Sequence, residues 1–370
     1  MTASKSWPAD RMPPAARTGL ADGNAARGAS GGRPFRAVAQ TPPSGAAPAN
    51  DRPALIVVSD TEVEFDWAAP FDRRSFGVGH MRHIGRLQTI CERWGIRPVY
   101  VVDYPIACQA GSVAALRPII DDGRALLGAH LHPWVTPPHE EAINARNSFP
   151  GNLPPALERA KLAALTDCIE TKFGRRPEIY KAGRYGLGAN TRRTIEELGF
   201  TIDLSAAPPF DYTADGGPDF SRHGRAASWV GPGGAVLSIP GTGALIGSLP
   251  SRRLYRAATT RAMTRLHVPG ILSRLGVVER LRLTPEGHDA SEMIRLLRWL
   301  HARGERLFVM SLHSPSLEPG HTPYVRDDAA LAKFLQSIDD VFAFFMTRLG
   351  GRATDPLAVR HGLLAANPAG

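Results

Sequence analysis

Apolar and polar positions along this chain switch repeatedly between a strand-like and a helical pattern. Leu55-Ile56-Val57-Val58 is a continuous apolar run of buried-strand length, and from His80 to Trp94 the residues Ile84, Leu87, Ile90, Cys91 and Trp94 recur at helical spacing until Gly95. Val99-Tyr100-Val101-Val102 predicts a second strand and Val113 to Asp121 a helix. A third strand runs through Ala125-Leu126-Leu127 to His130-Leu131-His132, and a longer helix covers Pro155 to Phe173 with Gly174 as its stop. Ile179-Tyr180-Lys181-Ala182 and Phe200 to Leu204 predict further strands around a helix from Ala189 to Leu198. Ala290 to Ala302 reads as a helix, Leu307 to Met310 as a strand and Asp327 to Leu349 as an amphipathic closing helix. Such βα repetition predicts parallel strands with helices outside, either a barrel or a doubly wound sheet.

The placement of reactive side chains separates the two. Asp60, Asp103, His130 with His132, Arg184, Asp203 and His313 each fall at or just beyond the carboxyl end of a predicted strand. In a barrel those ends converge on one mouth. His130 and His132 are two apart, so in an extended segment both imidazoles project to one face. With a carboxylate they form the donor set of a catalytic metal site; alone, they are an exposed strand end.

Composition changes the picture at the ends more than in the middle. Residues 1–50 are rich in Ala, Pro, Gly, Ser and Arg without apolar periodicity, which predicts a disordered tail; it has no apolar stretch of the signal-peptide kind. The globular domain is expected over 51–350, with 351–370 as a C-terminal tail. The formal charge of +9 is concentrated in the first tail and in an arginine-rich insertion at about 251–282, so the body is near neutral. That insertion reads either as a basic cap for anionic glycans or phosphate, or as a solvated helical segment; it lacks the interleaved aromatics of a single-strand nucleic-acid binder. Cys91, Cys108 and Cys168 show no metal-binding spacing and argue against a disulfide framework, which with the missing export signal suggests a reducing, cytoplasmic setting. No stretch predicts a transmembrane segment.

Taken in order, Ser59-Asp60-Thr61-Glu62 through Phe65-Asp66-Trp67, His130-Leu131-His132-Pro133, Lys181-Ala182-Gly183-Arg184-Tyr185-Gly186, Ile202-Asp203-Leu204-Ser205 and Leu312-His313-Ser314-Pro315-Ser316-Leu317-Glu318-Pro319-Gly320-His321 resemble the NodB-like polysaccharide deacetylases, the carbohydrate esterase 4 superfamily, and within it the WalW-type branch. The resemblance spans approximately Asp51 to Gly350. It implies an α/β fold, an irregular (β/α) barrel of the NodB / glycoside hydrolase-deacetylase type. It also implies a hydrolase that uses a divalent metal, Zn2+ or alternatively Co2+ or Ni2+, to remove N-acetyl groups from a sugar or polysaccharide. By resemblance, Asp60 is the general base, Glu62, His130 and His132 the metal ligands, His313 the general acid, and Arg184 and Asp203 the pair that orients base and acid.

Two departures stand out. The family's first motif has adjacent aspartates where this chain has Asp60-Thr61, displacing the second carboxylate to Glu62, and the family's histidines are four apart where these are two apart. These leave open whether Asp60 or Glu62 is the carboxylate ligand. They also leave open a non-catalytic carbohydrate-binding relative and a hydrolase of a non-sugar amide. Trp134 and Tyr185 are candidate aromatic platforms for a sugar ring or parts of a hydrophobic rim. The long loop Pro208 to Phe220 is read as a lid or substrate-recognition loop, with Asp211 and Asp219 as candidate contacts to sugar hydroxyls. The expected partner is an N-acetylated glycan.

Overall fold

The computed structural model describes residues 52–67 and 69–366. Among the described residues eleven strands form in chain order: β1 (Ala54–Thr61), β2 (Val99–Val102), β3 (Leu126–Leu131), β4 (Ile179–Ala182), β5 (Ile202–Asp203), β6 (Ser228–Val230), β7 (Val236–Ser238), β8 (Gly243–Ile246), β9 (Glu279–Arg282), β10 (Leu307–His313) and β11 (Arg352–Ala353). The main sheet runs β10-β1-β2-β3-β4-β5-β7-β6, parallel except for the β6–β7 pair, with β11 added to β1. It curls into an open, irregular (β/α) barrel, as the resemblance implied. β8 and β9 form a separate antiparallel hairpin. Its flanks reach β10, because Thr242 N–H donates to the Val309 carbonyl and Ser311 N–H to that of Leu283.

Alternation along each strand sorts side chains between two cores. Leu55, Val57, Tyr100, Val102, Leu127, Ala129, Tyr180, Met310 and Leu312 point outward, into the large core beneath the helices. Ile56, Val58, Val99, Val101, Ile179, Ile202 and Val309 point inward and fill the barrel. Beyond this apolar plug the inward rows continue as Asp60 on β1, His130 on β3, Lys181 on β4 and His313 on β10. The reactive ends therefore share one mouth. At the other end the helix Pro356–Ala366 packs Leu357, Val359 and Leu363 against the barrel core. The expected C-terminal tail is thus corrected: most of 351–370 is strand and helix, and apolar residues every few positions were its signal.

Most predicted helices form close to their expected bounds. Pro155–Phe173 ends on Gly174, whose φ of 71° is a left-handed stop that glycine adopts without a Cβ clash. The Asp103 side chain caps the short helix Tyr104–Cys108 by accepting the Ile106 N–H. The segment 251–282 becomes three short helices, Arg252–Ala258, Arg261–Arg265 and Val268–Arg274, followed by β9. One expectation is overturned: Cys108 and Cys168 form a disulfide joining the Tyr104–Cys108 and Pro155–Phe173 helices, while Cys91 is free and buried. Their separation of 60 residues hides a proximity that the fold creates. No helix among the described residues is long and apolar enough to cross a membrane. The expected disordered tail, 1–50, lies outside the described residues.

Candidate active site

Glu62, His130 and His132 come together at the barrel mouth, all buried. Glu62 Oε2 lies 3.5 Å from His130 Nε2 and 3.3 Å from His132 Nε2. Both imidazoles are oriented from behind. His130 Nδ1 faces the Lys181 carbonyl at 2.9 Å, and His132 Nδ1 faces Asp103 Oδ2 at 3.3 Å. Asp103 Oδ2 also accepts the Val63 N–H at 2.8 Å, which ties the Glu62 segment to the same carboxylate. In the tautomer that donates each Nδ1–H rearward, both Nε2 lone pairs point at Glu62, whose Oε1 is buried without a hydrogen-bond partner. Three acceptors converging on one point fit a cation between them. The donor set, two imidazoles and a carboxylate, is that of a catalytic divalent metal.

Gly183 makes this packing possible. A Cβ there would stand 2.3 Å from His132 Cδ2 and 2.4 Å from the Leu131 carbonyl oxygen. Below His132 lies Trp134, its ring 4.4 Å away and nearly parallel. The turn Pro133–Val135 folds Trp134 into a cluster with Val63 and Val135, leaving it 1% exposed. Trp134 is therefore a support for the His132 ring, and the expectation of a sugar platform is corrected.

Asp60 and His313 face each other beside this group, with Asp60 Oδ2 3.7 Å from His313 Nε2. Lys181 Nζ bonds both oxygens of Asp60, at 2.6 and 2.8 Å. Burial would raise the Asp60 pKa, but the Lys181 ammonium, with help from His313, outweighs it and holds the carboxyl at about 2. His313 Nδ1 lies 2.6 Å from Glu286 Oε2, and its backbone N–H donates to Glu286 Oε1. Ser316 Oγ also donates to Glu286 Oε1. Burial disfavours the His313 cation; Glu286, Glu62 and Asp60 more than offset this and raise its pKa to about 9. The barrel mouth thus holds an ionised carboxylate and a protonated imidazole in facing positions.

The expected orienting pair is corrected. Asp203 lies on the outward row of β5, opposite Tyr180 in register, and accepts from Ser205 N–H and Ser238 Oγ, away from the cavity. Arg184 lines the cavity but bonds Ser148 Oγ and the Ala145 carbonyl and stacks on Phe149, with its Cζ 4.1 Å from the ring centroid. Lys181, bonded to Asp60, and Glu286, bonded to His313, stand where Arg184 and Asp203 were expected. Period-two alternation offered a signal for Lys181, which shares a strand face with Ile179. Glu286 stands in a loop after β9 and had no sequence signal.

Trp67, Tyr185, Phe210, Tyr212 and Tyr324 give the cavity aromatic walls. Tyr185, a candidate from the sequence, is one of these rings. The Pro208 to Phe220 loop contributes rings: Asp211 and Asp219 pair as an isolated bridge, brace turns at Thr213 and Ser221, and do not line the cavity. Arg282 enters the wall from β9, bonding the hydroxyls of Tyr185 and Tyr212 and stacking on Phe210. Behind the wall, Glu62 N–H donates to Ser314 Oγ, which also bonds His80 Nε2, and His80 Nδ1 meets Glu64. Glu64, Glu318 and His321 form a second, half-buried group outside the cavity.

No protein-family model matches the chain, and no curated protein sequence matches it. Among solved structures, it is similar to a protein from Mycobacterium smegmatis assigned as a polysaccharide deacetylase, with a TM-score of 0.45, 14% identity, and coverage of 81% of this chain and 88% of that one. It is also similar to a family 4 carbohydrate esterase from Streptomyces lividans, with a TM-score of 0.41, 9% identity, and coverage of 84% and 95%. A third similar structure is the peptidoglycan deacetylase PdaC from Bacillus subtilis, with a TM-score of 0.41, 8% identity, and coverage of 87% and 95%.

Proposed function

We propose that this chain is a metal-dependent hydrolase that removes acetyl groups from an N-acetylated sugar or polysaccharide, in the manner of the WalW-type deacetylases its motifs resemble. The observation that carries this reading is the convergence of Glu62, His130 and His132 on one point beside the Asp60–His313 pair. These three residues would hold the divalent metal, and when bound it supplies Lewis acidity to the amide carbonyl and to a water molecule.

The remaining chemistry belongs to the chain. Asp60, kept ionised by Lys181, takes the proton of the attacking water as its oxygen bonds to the acetyl carbon. His313 carries its proton on the atom that faces the site, because Glu286 engages Nδ1 and leaves Nε2–H directed toward Asp60. That proton goes to the nitrogen as the C–N bond breaks, so the products are acetate and the free amine. Trp67 stands edge-on to the His313 ring at 5.1 Å and limits its rotation. The aromatic walls offer ring faces to the sugar.

The test is acetate release from N-acetylglucosamine oligosaccharides by protein reconstituted with Zn2+, Co2+ or Ni2+. The reading expects release that disappears in Asp60→Asn and in His313→Ala. Metal-loaded protein that binds the oligosaccharide without releasing acetate would make it a carbohydrate-binding relative instead.

A further inference from the structure

The arginine-rich segment presents a surface that the barrel does not use. Among the described residues eight large hydrophobic side chains are exposed, and five of them, Leu249, Met263, Leu266, Ile271 and Leu275, lie between the β8–β9 hairpin strands. Leu249, Leu266, Ile271 and Leu275 are 60, 65, 49 and 70% exposed. A cluster of this kind on one insertion marks an interaction surface.

Its charge selects the partner. Arg252, Arg253, Arg256, Arg261, Arg265 and Arg274 are all exposed on the same three helices, and none pairs with a carboxylate among the described residues. The only acidic residue from Ser251 to Arg282 is Glu279, already paired with Arg295 and Ser273. A second copy of this face would bring like charges together. Residues 1–51 carry Lys5, Arg11, Arg17, Arg27, Arg33 and Arg36 against Asp10, Asp22 and Asp51, so they have the wrong sign to cover it. Exposed leucines among unpaired guanidinium groups match an anionic bilayer surface, where apolar side chains enter the acyl boundary and arginines meet lipid phosphates.

We infer that the helices Arg252–Ala258, Arg261–Arg265 and Val268–Arg274 dock this protein on an anionic phospholipid membrane. The consequence for the site is geometric. β9 runs from Glu279, at the base of the helices, to Arg282 in the cavity wall, three residue steps or roughly 10 Å along a strand. Docking therefore sets the barrel mouth close to the bilayer, which suits a glycan carried on a lipid.

The experiment is co-sedimentation of the full chain with vesicles of phosphatidylcholine alone and of phosphatidylcholine with about one-third phosphatidylglycerol, at low and high salt, repeated with Leu266→Asp/Leu275→Asp. The wild type should pellet with the phosphatidylglycerol vesicles and lose binding as salt rises. The double variant should partition at least about tenfold less, with an unchanged melting curve because both side chains are exposed. Three results would overturn the inference: no binding to anionic vesicles, equal binding to neutral ones, or full binding by the double variant, which would assign it to the basic residues before Arg52. A lipid-free dimer that the double variant disperses would overturn it too, giving the face to a second copy.

Discussion

Lys181 Nζ, on β4, sits 2.6 Å from Asp60 Oδ1 on β1, although β2 and β3 lie between those strands in the sheet. The ion pair therefore crosses the mouth of the barrel. Both side chains are buried, so each charge depends on the other for compensation. Lys181→Met strands the Asp60 carboxylate and should cost about 3–5 kcal/mol in denaturant unfolding. Asp60→Asn/Lys181→Met should regain most of that stability without regaining activity. A Lys181→Met protein as stable as wild type would show that the pair carries no such coupling.

The His313–Glu286 contact sets a pH limit. With its pKa near 9, His313 keeps its proton through neutral pH and loses it as pH rises through that value, so kcat/KM should fall on the alkaline side near pH 9. Glu286→Gln removes the first of the opposing charges. The alkaline limb should then move toward neutrality, and a limb that stays in place would separate it from His313.

Glu158 makes a prediction about stability alone. It is buried on the Pro155–Phe173 helix, and burial lifts its pKa from 4.5 to about 7, the Thr191 hydroxyl offsetting only part of that. The folded state thus holds a proton that the unfolded chain has released. The stabilisation is complete below about pH 4.5, declines as pH rises toward 7 and is gone above it, amounting to about 3 kcal/mol. Glu158→Gln should abolish this slope in urea titrations taken across that range.

The alternating elements up to residue 204 were legible because each apolar run has the length and period of its element. Several pieces escaped for physical reasons. β6, β7 and β8 are bounded by Gly and Pro that read as turns, and β9 has a charged residue at three of its four positions, so no apolar run or period stands out. In the site, strand-end position brought out Asp60, His130, His132 and His313 correctly as neighbours, yet it also brought in Asp203. A strand end has two faces, and Asp203 is on the outward one with Tyr180. Glu286 and Arg282 reach the cavity from the hairpin and the loop after it, where no periodicity points inward.

Gly183 gives a steric test of the ligand set. Gly183→Ala places a methyl group where His132 Cδ2 and the Leu131 carbonyl already stand, so His132 must move. Metal affinity should drop at least about tenfold, as expected when a ligand's support is disturbed, while the helices around the barrel keep their signal in circular dichroism. Unchanged affinity would mean that His132 is not held by this packing.

The central claim is that Glu62, His130 and His132 form a metal site. The most direct measurement is elemental analysis of purified protein beside His130→Ala/His132→Ala, each after reconstitution with Zn2+ and removal of excess metal. The account predicts close to one metal per wild-type chain and almost none in the double variant. A wild-type protein that retains no metal, or a variant that retains as much, would contradict it.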